Sequence, residues 1–208
     1  MSAARAAVLG RVRAAIGEWH GEVPETEPGF RRSGSLDRTG RLRLLEERCL
    51  DYGATVRRTG EPAAAVEASL AAAGATQVAV PDDLPRTWLP EGIEWIGAGG
   101  LDVRDMDRVD AVVTGCALAV ADIGAVVLDH GPGQGPRTLT LVPDHHVCVV
   151  EAENVVELMP EAISALHRAL AAGLPLTFVA GPSATSDIGF QRVQGVHGPR
   201  RLDIVLIG

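Results

Sequence analysis

Apolar and polar positions alternate along this chain with two different periods, and the changes between them divide it into elements. In residues 2–16, Ala7, Val8, Val12, Ala15 and Ile16 recur near helical spacing, which predicts a first helix. A polar, Pro/Glu/Gly-rich stretch then runs to Ser33. Residues 1–34 therefore read as a helix and linker arm that docks on something, and residues 35–208 as one domain. A second helix is expected over 37–52, with Leu42, Leu45 and Cys49 on one face, Ser35 as its N-cap and Gly53 as its left-handed stop.

From residue 54 the pattern becomes a β–α–β rhythm. Strands are predicted at 54–57, 77–80, 93–96 and 111–114, with a helix over 62–73 ended by Gly74. Their apolar runs are continuous, as in a parallel sheet covered by helices on both faces. Runs at 117–121 and 125–128 flank the turn Asp122-Ile123-Gly124 and predict a hairpin, so the sheet is expected to be mixed and mostly parallel. Further strands are predicted at 138–142, 147–150, 176–180 and 202–207. Asn154 is expected to cap a helix through Leu170, with Glu157 closing a capping box and Gly173 ending it.

Composition narrows the chemistry. All 19 basic residues among the 208 are arginine, so a Schiff-base lysine, a Ser-Lys dyad and a P-loop lysine are excluded. Residues 1–60 carry 11 Arg against 8 acidic residues, a net of +3, whereas residues 61–208 carry 8 against 19, a net of −11. An acidic body with 3% aromatic residues is poorly suited to phosphate backbones and base stacking, so no nucleic-acid partner is expected. Cys49, Cys116 and Cys148 form no CxxC, so the chain cannot by itself build a zinc knuckle or a four-cysteine iron–sulfur site. The first residues lack the uninterrupted apolar region of a signal peptide, and no run reaches about 18 apolar residues. A soluble, cytoplasmic protein with no membrane partner is the expectation.

Three groups of residues could carry chemistry. In 129–137, Gly131, Gly133 and Gly135 surround Gln134 and precede Arg137. Glycines at alternate positions let backbone N–H groups face inward as an anion nest, with Arg137 clamping a carboxylate or phosphate. The same glycines could equally serve only the bends of a long loop. In 181–187, after a buried-type strand, Ser183, Thr185 and Ser186 offer hydroxyls beside Asp187, where a following helix would add free N–H donors. Among the histidines, His130, His145, His146 and His197 lie in or beside loops and could act as acid/base groups. His145 and His146 enter a strand on opposite faces, so at most one of them reaches a shared site, and no metal is assigned. A Ser183–His197–Asp187 triad can be drawn, but the Gly-x-Ser-x-Gly elbow is absent. Cys116 reads as a structural thiol rather than a nucleophile, given its apolar neighbours.

Several segments in order carry a family resemblance: residues 114–124 (TGCALAVADIG), 131–137 (GPGQGPR) with 141–146 (LVPDHH), 181–188 (GPSATSDI) and 195–200 (GVHGPR). Together they closely resemble the LUD domain of the LutC/YkgG family of lactate-utilization proteins, over roughly residues 35–208. The resemblance implies a three-layer α/β fold similar to the ribose-5-phosphate isomerase, glucosamine-6-phosphate deaminase and CoA-transferase group. It also implies a part in oxidising L-lactate to pyruvate alongside iron–sulfur partner subunits. The chain departs from the family at Asp122-Ile123-Gly124-Ala125, where members often carry Glu-Thr-Gly-Thr, so two hydroxyls are missing. A related cycloligase group binds ATP through lysines, which this chain lacks.

The expected site thus holds a small anionic metabolite through Gly131, Gly133, Gln134, Gly135, Arg137, His145, Ser183, Thr185 and Ser186, with His197 and Asp187 as acid/base candidates and no cofactor. Whether this subunit is itself catalytic stays open. A stand-alone enzyme of the CoA-transferase or sugar-phosphate-isomerase kind and a non-catalytic ligand sensor are the alternatives, and a homo-oligomer is compatible with each.

Overall fold

The computed structural model describes residues 3–17, 29–187 and 191–208, apart from the side chains of 185–187 and 191–194. Two compact units result, Met1–Phe30 and Arg31–Gly208. The first contains α1 (Ala3–Ile16), a helix with no buried residue that leaves Val8, Val12 and Ile16 exposed.

The larger unit begins with α2 (Arg38–Asp51), capped not by Ser35 but by Asp37, whose carboxylate accepts the Gly40 N–H at 2.7 Å. Ser35 is held elsewhere, because its own N–H donates to Glu157. Gly53 ends the turn after α2 with φ +85°, a conformation that favours glycine. Next come β1 (Thr55–Thr59), α3 (Pro62–Ala71), β2 (Gln77–Val80), β3 (Glu94–Gly97), α4 (Val103–Met106) and β4 (Ala111–Thr114). The chain then forms β5 (Leu118–Val120), β6 (Ala125–Leu128), β7 (His145–Glu151), β8 (Val155–Val156), α5 (Met159–Ala165) and α6 (His167–Ala171). It closes with β9 (Thr177–Val179), β10 (Ala184–Asp187), β11 (Gln191–Gln194) and β12 (Arg201–Ile207).

Six strands in the order β1-β12-β7-β4-β2-β3 form one sheet in which every pairing is parallel. Successive side chains of its central strands face opposite layers. Val147, Val149 and Val205 pack with Val66 and Leu70 of α3. Cys148, Val150 and Ile204 pack on the other side with Leu42 and Leu45 of α2 and with Ala119 and Val126 of a second sheet. Both faces of β7 and β12 are thus covered by apolar groups, which is why these strands read as unbroken hydrophobic runs. The fold is α/β, a parallel six-stranded sheet flanked by helices. The predicted hairpin, β5–β6, forms around Gly124 but joins the second sheet, β8-β5-β6-β9, instead of mixing the first.

Three expected elements differ. Residues 138–142 are not a strand, because Arg137–Thr140 makes a 3₁₀ turn after Pro136 and buries Leu139. No single helix runs from Asn154: Ala152–Asn154 is a 3₁₀ turn, and Pro160, lacking an N–H, is tolerated only in the first turn, so α5 starts at Met159. Glu161, not Glu157, turns back to accept the Glu157 and Leu158 amides at 3.0 and 2.8 Å. The buried Glu157 carboxylate instead accepts the N–H groups of Ser35 and Leu36 at 2.7 and 2.6 Å. Finally, Gly181 leads into the β10–β11 hairpin and not into a helix, so no helix N-terminus offers donors there. Among the described residues, no helix is long and apolar enough to cross a membrane.

Candidate anion-binding site

A pocket of about 270 Å³ opens where the segments entering β7 and β12 meet the one leaving β9, and Arg137, Thr140, Thr177, Phe178, Ser183 and His197 line it. Arg137 reaches it from the 3₁₀ turn after the glycine loop. Its guanidinium has no carboxylate partner among the described residues, so it is a cation available to a ligand. Ser183 and His197 are joined by the hydroxyl of Ser183 accepting the backbone N–H of His197 at 3.0 Å. That contact uses the main chain, so the two do not form the nucleophile–imidazole pair of a triad. Thr185, Ser186 and Asp187 lie on β10, and their side chains fall outside the described residues.

The glycine loop works differently from the expected nest. Gln134 is only 3% exposed, and its carbonyl oxygen accepts the Asp129 and His130 amides at 2.9 and 3.2 Å. Its amide nitrogen donates to Asp129 Oδ1 at 2.7 Å, and the same oxygen accepts the Gly131 N–H at 3.1 Å. The Gly131 N–H, one of the three expected to cradle an anion, is thus spent inside the loop. Gly131, Gly133, Gln134 and Gly135 shape the segment that presents Arg137 but do not line the pocket. Gly135 has φ +68°, and a Cβ there would meet Leu139 at 2.7 Å, so this bend requires glycine.

His130 is the one non-glycine residue with positive φ, +59°, among those described. Such a backbone costs free energy and persists only where surrounding contacts hold it, here the two Gln134 bonds. Its Nε2 lies 3.0 Å from the Thr177 hydroxyl, so the ring backs directly onto the pocket wall. Burial pushes the imidazole below its ordinary range; the Arg137 charge acts the same way, while the Gly135 carbonyl and Asp129 oppose it. His130 is thus neutral at pH 7 and does not compete with Arg137 for positive charge.

His145, expected at the site, is not there. It is buried with Nε2 3.1 Å from Asp203 Oδ2, and Arg201 donates to the same carboxylate at 3.1 Å. His146 leaves the opposite face of β7, toward Thr114 at 2.8 Å. This split follows from the strand alternation. Thr140 and Thr177 line the pocket but carried no sequence signal, since isolated threonines in apolar runs are common strand residues. A second basin of about 410 Å³ is lined by Asp107, Arg108, Asp110, Asp144 and Arg200, so three carboxylates outnumber its two guanidinium groups. There Asp144 pairs with Arg200 at 3.4 Å, and the Gln77 and Thr76 amides hold Asp110 below its usual carboxylate range.

Comparison with known proteins bears on the family and the fold. A lactate utilization protein C of Deinococcus radiodurans is 41% identical over 191 residues, covering 90% of this chain and 89% of that protein. The lactate utilization protein C of Halalkalibacterium halodurans is 32% identical over 109 residues, covering 50% of this chain and 47% of its own length. Among solved structures, a DUF162 family protein from Deinococcus radiodurans superposes with a TM-score of 0.72 at 35% identity, covering 84% of this chain and all of that one. Residues 102–207, which contain the glycine loop, Arg137, Ser183 and His197, match the LUD domain. By that match and by the 41% identity across nine-tenths of its length, the chain belongs to the LUD domain family.

Proposed function

We propose that this chain serves in lactate utilization as a subunit that holds a small carboxylate metabolite in the Arg137 pocket. It would act beside iron–sulfur partner proteins that take up the two electrons released when L-lactate becomes pyruvate. One observation carries the reading: a guanidinium with no carboxylate partner among the described residues lines the same pocket as Ser183, Thr177 and His197. At about 270 Å³ the pocket falls below the ~300–1,000 Å³ typical of sites for drug-sized ligands, and so suits an acid of a few heavy atoms. Arg137 would pair with the carboxylate, the hydroxyls would take the ligand's polar oxygens, and His197 and Asp187 are the candidates for moving a proton. The names of the relatives support the physiological setting. The three cysteines of this chain leave a four-cysteine cluster to its partners.

Thermal-shift and calorimetric titrations of the full chain with L-lactate, pyruvate and inorganic phosphate test the pocket. Carboxylates should stabilise the protein, and Arg137→Ala should weaken binding by roughly 10–100-fold, the worth of a lost charge-assisted hydrogen bond. No shift with any of these anions, or an identical shift in the variant, would overturn the reading. Loss of growth on L-lactate in a strain lacking the chain tests the setting separately.

A further inference from the structure

The three cysteines, at positions 49, 116 and 148, come together in one core cluster. Two of them are closely interlocked. Cys148 Sγ lies 3.7 Å from the carbonyl of Gly115, the residue before Cys116, and Cys116 Sγ lies 3.9 Å from the carbonyl of Val149, the residue after Cys148. This reciprocal contact, where Thr114 is in register with Cys148, sets each thiol against the backbone that flanks the other. Cys116 is half-buried and Cys148 fully buried, so a small oxidant meets Cys116 first.

A base stands beside the pair. Thr114 has one hydroxyl hydrogen, which it donates to the Gly115 carbonyl at 2.8 Å. The 2.8 Å contact between Thr114 Oγ1 and His146 Nε2 must then use the Nε2 hydrogen, which leaves Nδ1 as the lone-pair nitrogen of a buried imidazole. That nitrogen has no hydrogen-bond partner among the described residues. His146 and Cys148 leave the same face of β7 two residues apart. The hydrogen bond from Cys116 draws the Cys148 thiol down against burial, and His146 acts in the same direction, while Cys116 is pushed up.

The structure assigns Cys116 and Cys148 as a reversible dithiol–disulfide site, with His146 as the positioning base and peroxide as the class of oxidant. In the first step the Cys116 sulfur attacks one peroxide oxygen and the O–O bond breaks. The thiol proton passes to the departing hydroxide, giving Cys116 sulfenic acid and water. In the second step the Cys148 sulfur attacks the sulfenic sulfur, the S–O bond breaks, and the hydroxide leaves as water with the Cys148 proton. Two thiols and one peroxide thus become one disulfide and two waters.

Treating the reduced full-length chain with excess hydrogen peroxide, then quenching, unfolding and counting thiols, tests the assignment. The count should fall from three to one. Peptide mapping should show a Cys116–Cys148 link within one chain, dithiothreitol should restore all three thiols, and Cys49 should stay reduced. Cys148→Ser should form no disulfide and overoxidise at Cys116, and His146→Gln should slow disulfide formation several-fold. Sulfinic acid without a disulfide in the natural chain, a link through Cys49 or between chains, or an unchanged count at a dose that fully oxidises glutathione would each overturn it. The mapping of the unmutated chain decides the matter even if a variant fails to fold.

Discussion

Replacing Gln134 with alanine probes the loop that presents Arg137. The side chain makes three hydrogen bonds, accepting from the Asp129 and His130 amides and donating to the Asp129 carboxylate. Its removal leaves two backbone donors and one carboxylate oxygen without these partners. At about 1 kcal/mol for each bond, the loss is about 3 kcal/mol. For a protein of this size that amounts to a fall in Tm of about 6–12 °C. The left-handed backbone of His130 is sustained by the same contacts. It should relax, release Thr177 and weaken anion binding at Arg137. Gln134→Glu provides a control, since it keeps the acceptor for both amides but sets a second carboxylate against Asp129. It should be less stable than the natural chain at pH 7 and recover part of the loss as acid protonates one of the pair. Differential scanning calorimetry with parallel anion titrations checks both variants. A Tm change in Gln134→Ala of less than about 2 °C, well below the loss set by these bond energies, together with unchanged anion binding, would refute the argument.

Asp203 should set an acid limit to stability. Burial by itself would raise its carboxyl, but the bonds from His145 and Arg201 outweigh burial and hold it below the usual value. A depressed carboxylate contributes stability above its unfolded pKa of about 3.9, and that contribution is lost as pH falls through the lower folded value. Asp203→Asn should therefore lose about 3 kcal/mol at neutral pH and flatten the fall of Tm below pH 4, as pH-dependent thermal unfolding would show. Two glycines with positive φ make a matched pair. Gly74→Ala meets nothing within 4 Å and should cost only about 1 kcal/mol for the left-handed backbone, whereas Gly124→Ala would meet Arg48 Cβ at 2.5 Å and should cost clearly more by chemical denaturation. Cys49, pushed up to about 12 by burial and then by nearby Cys148, should resist iodoacetamide in the folded protein at pH 8 and react once unfolded.

Much of the fold was legible because its signals are local. The apolar runs at β2, β4, β7 and β12, the hairpin around Gly124, and the helix stops at Gly53, Gly74 and Gly173 each depend on a few consecutive residues. Where the reading failed, a distant group had changed a local preference. Ser35 is a good capping residue, yet its N–H is held by Glu157, 122 positions away, and the cap moves to Asp37. Glu157 has the spacing of a capping-box residue after Asn154, yet it caps nothing there because Pro160 sets where α5 begins.

The candidate site divides in the same way. Arg137, Ser183 and His197 were identifiable from residue type and loop context, and they line one pocket. The sequence by itself determined an α/β chain with a parallel core, a lysine-free inventory of anion-binding groups and the ordered motifs of the LUD family. Only the tertiary structure decided that Gln134 closes the glycine loop on itself, that His145 pairs with Asp203 while His146 faces Thr114, and that Cys148 meets the Gly115 carbonyl beside Cys116. The physical reason is that periodicity records whether a residue is covered, whereas its partner depends on strand register and sheet order, and hence on residues tens of positions away.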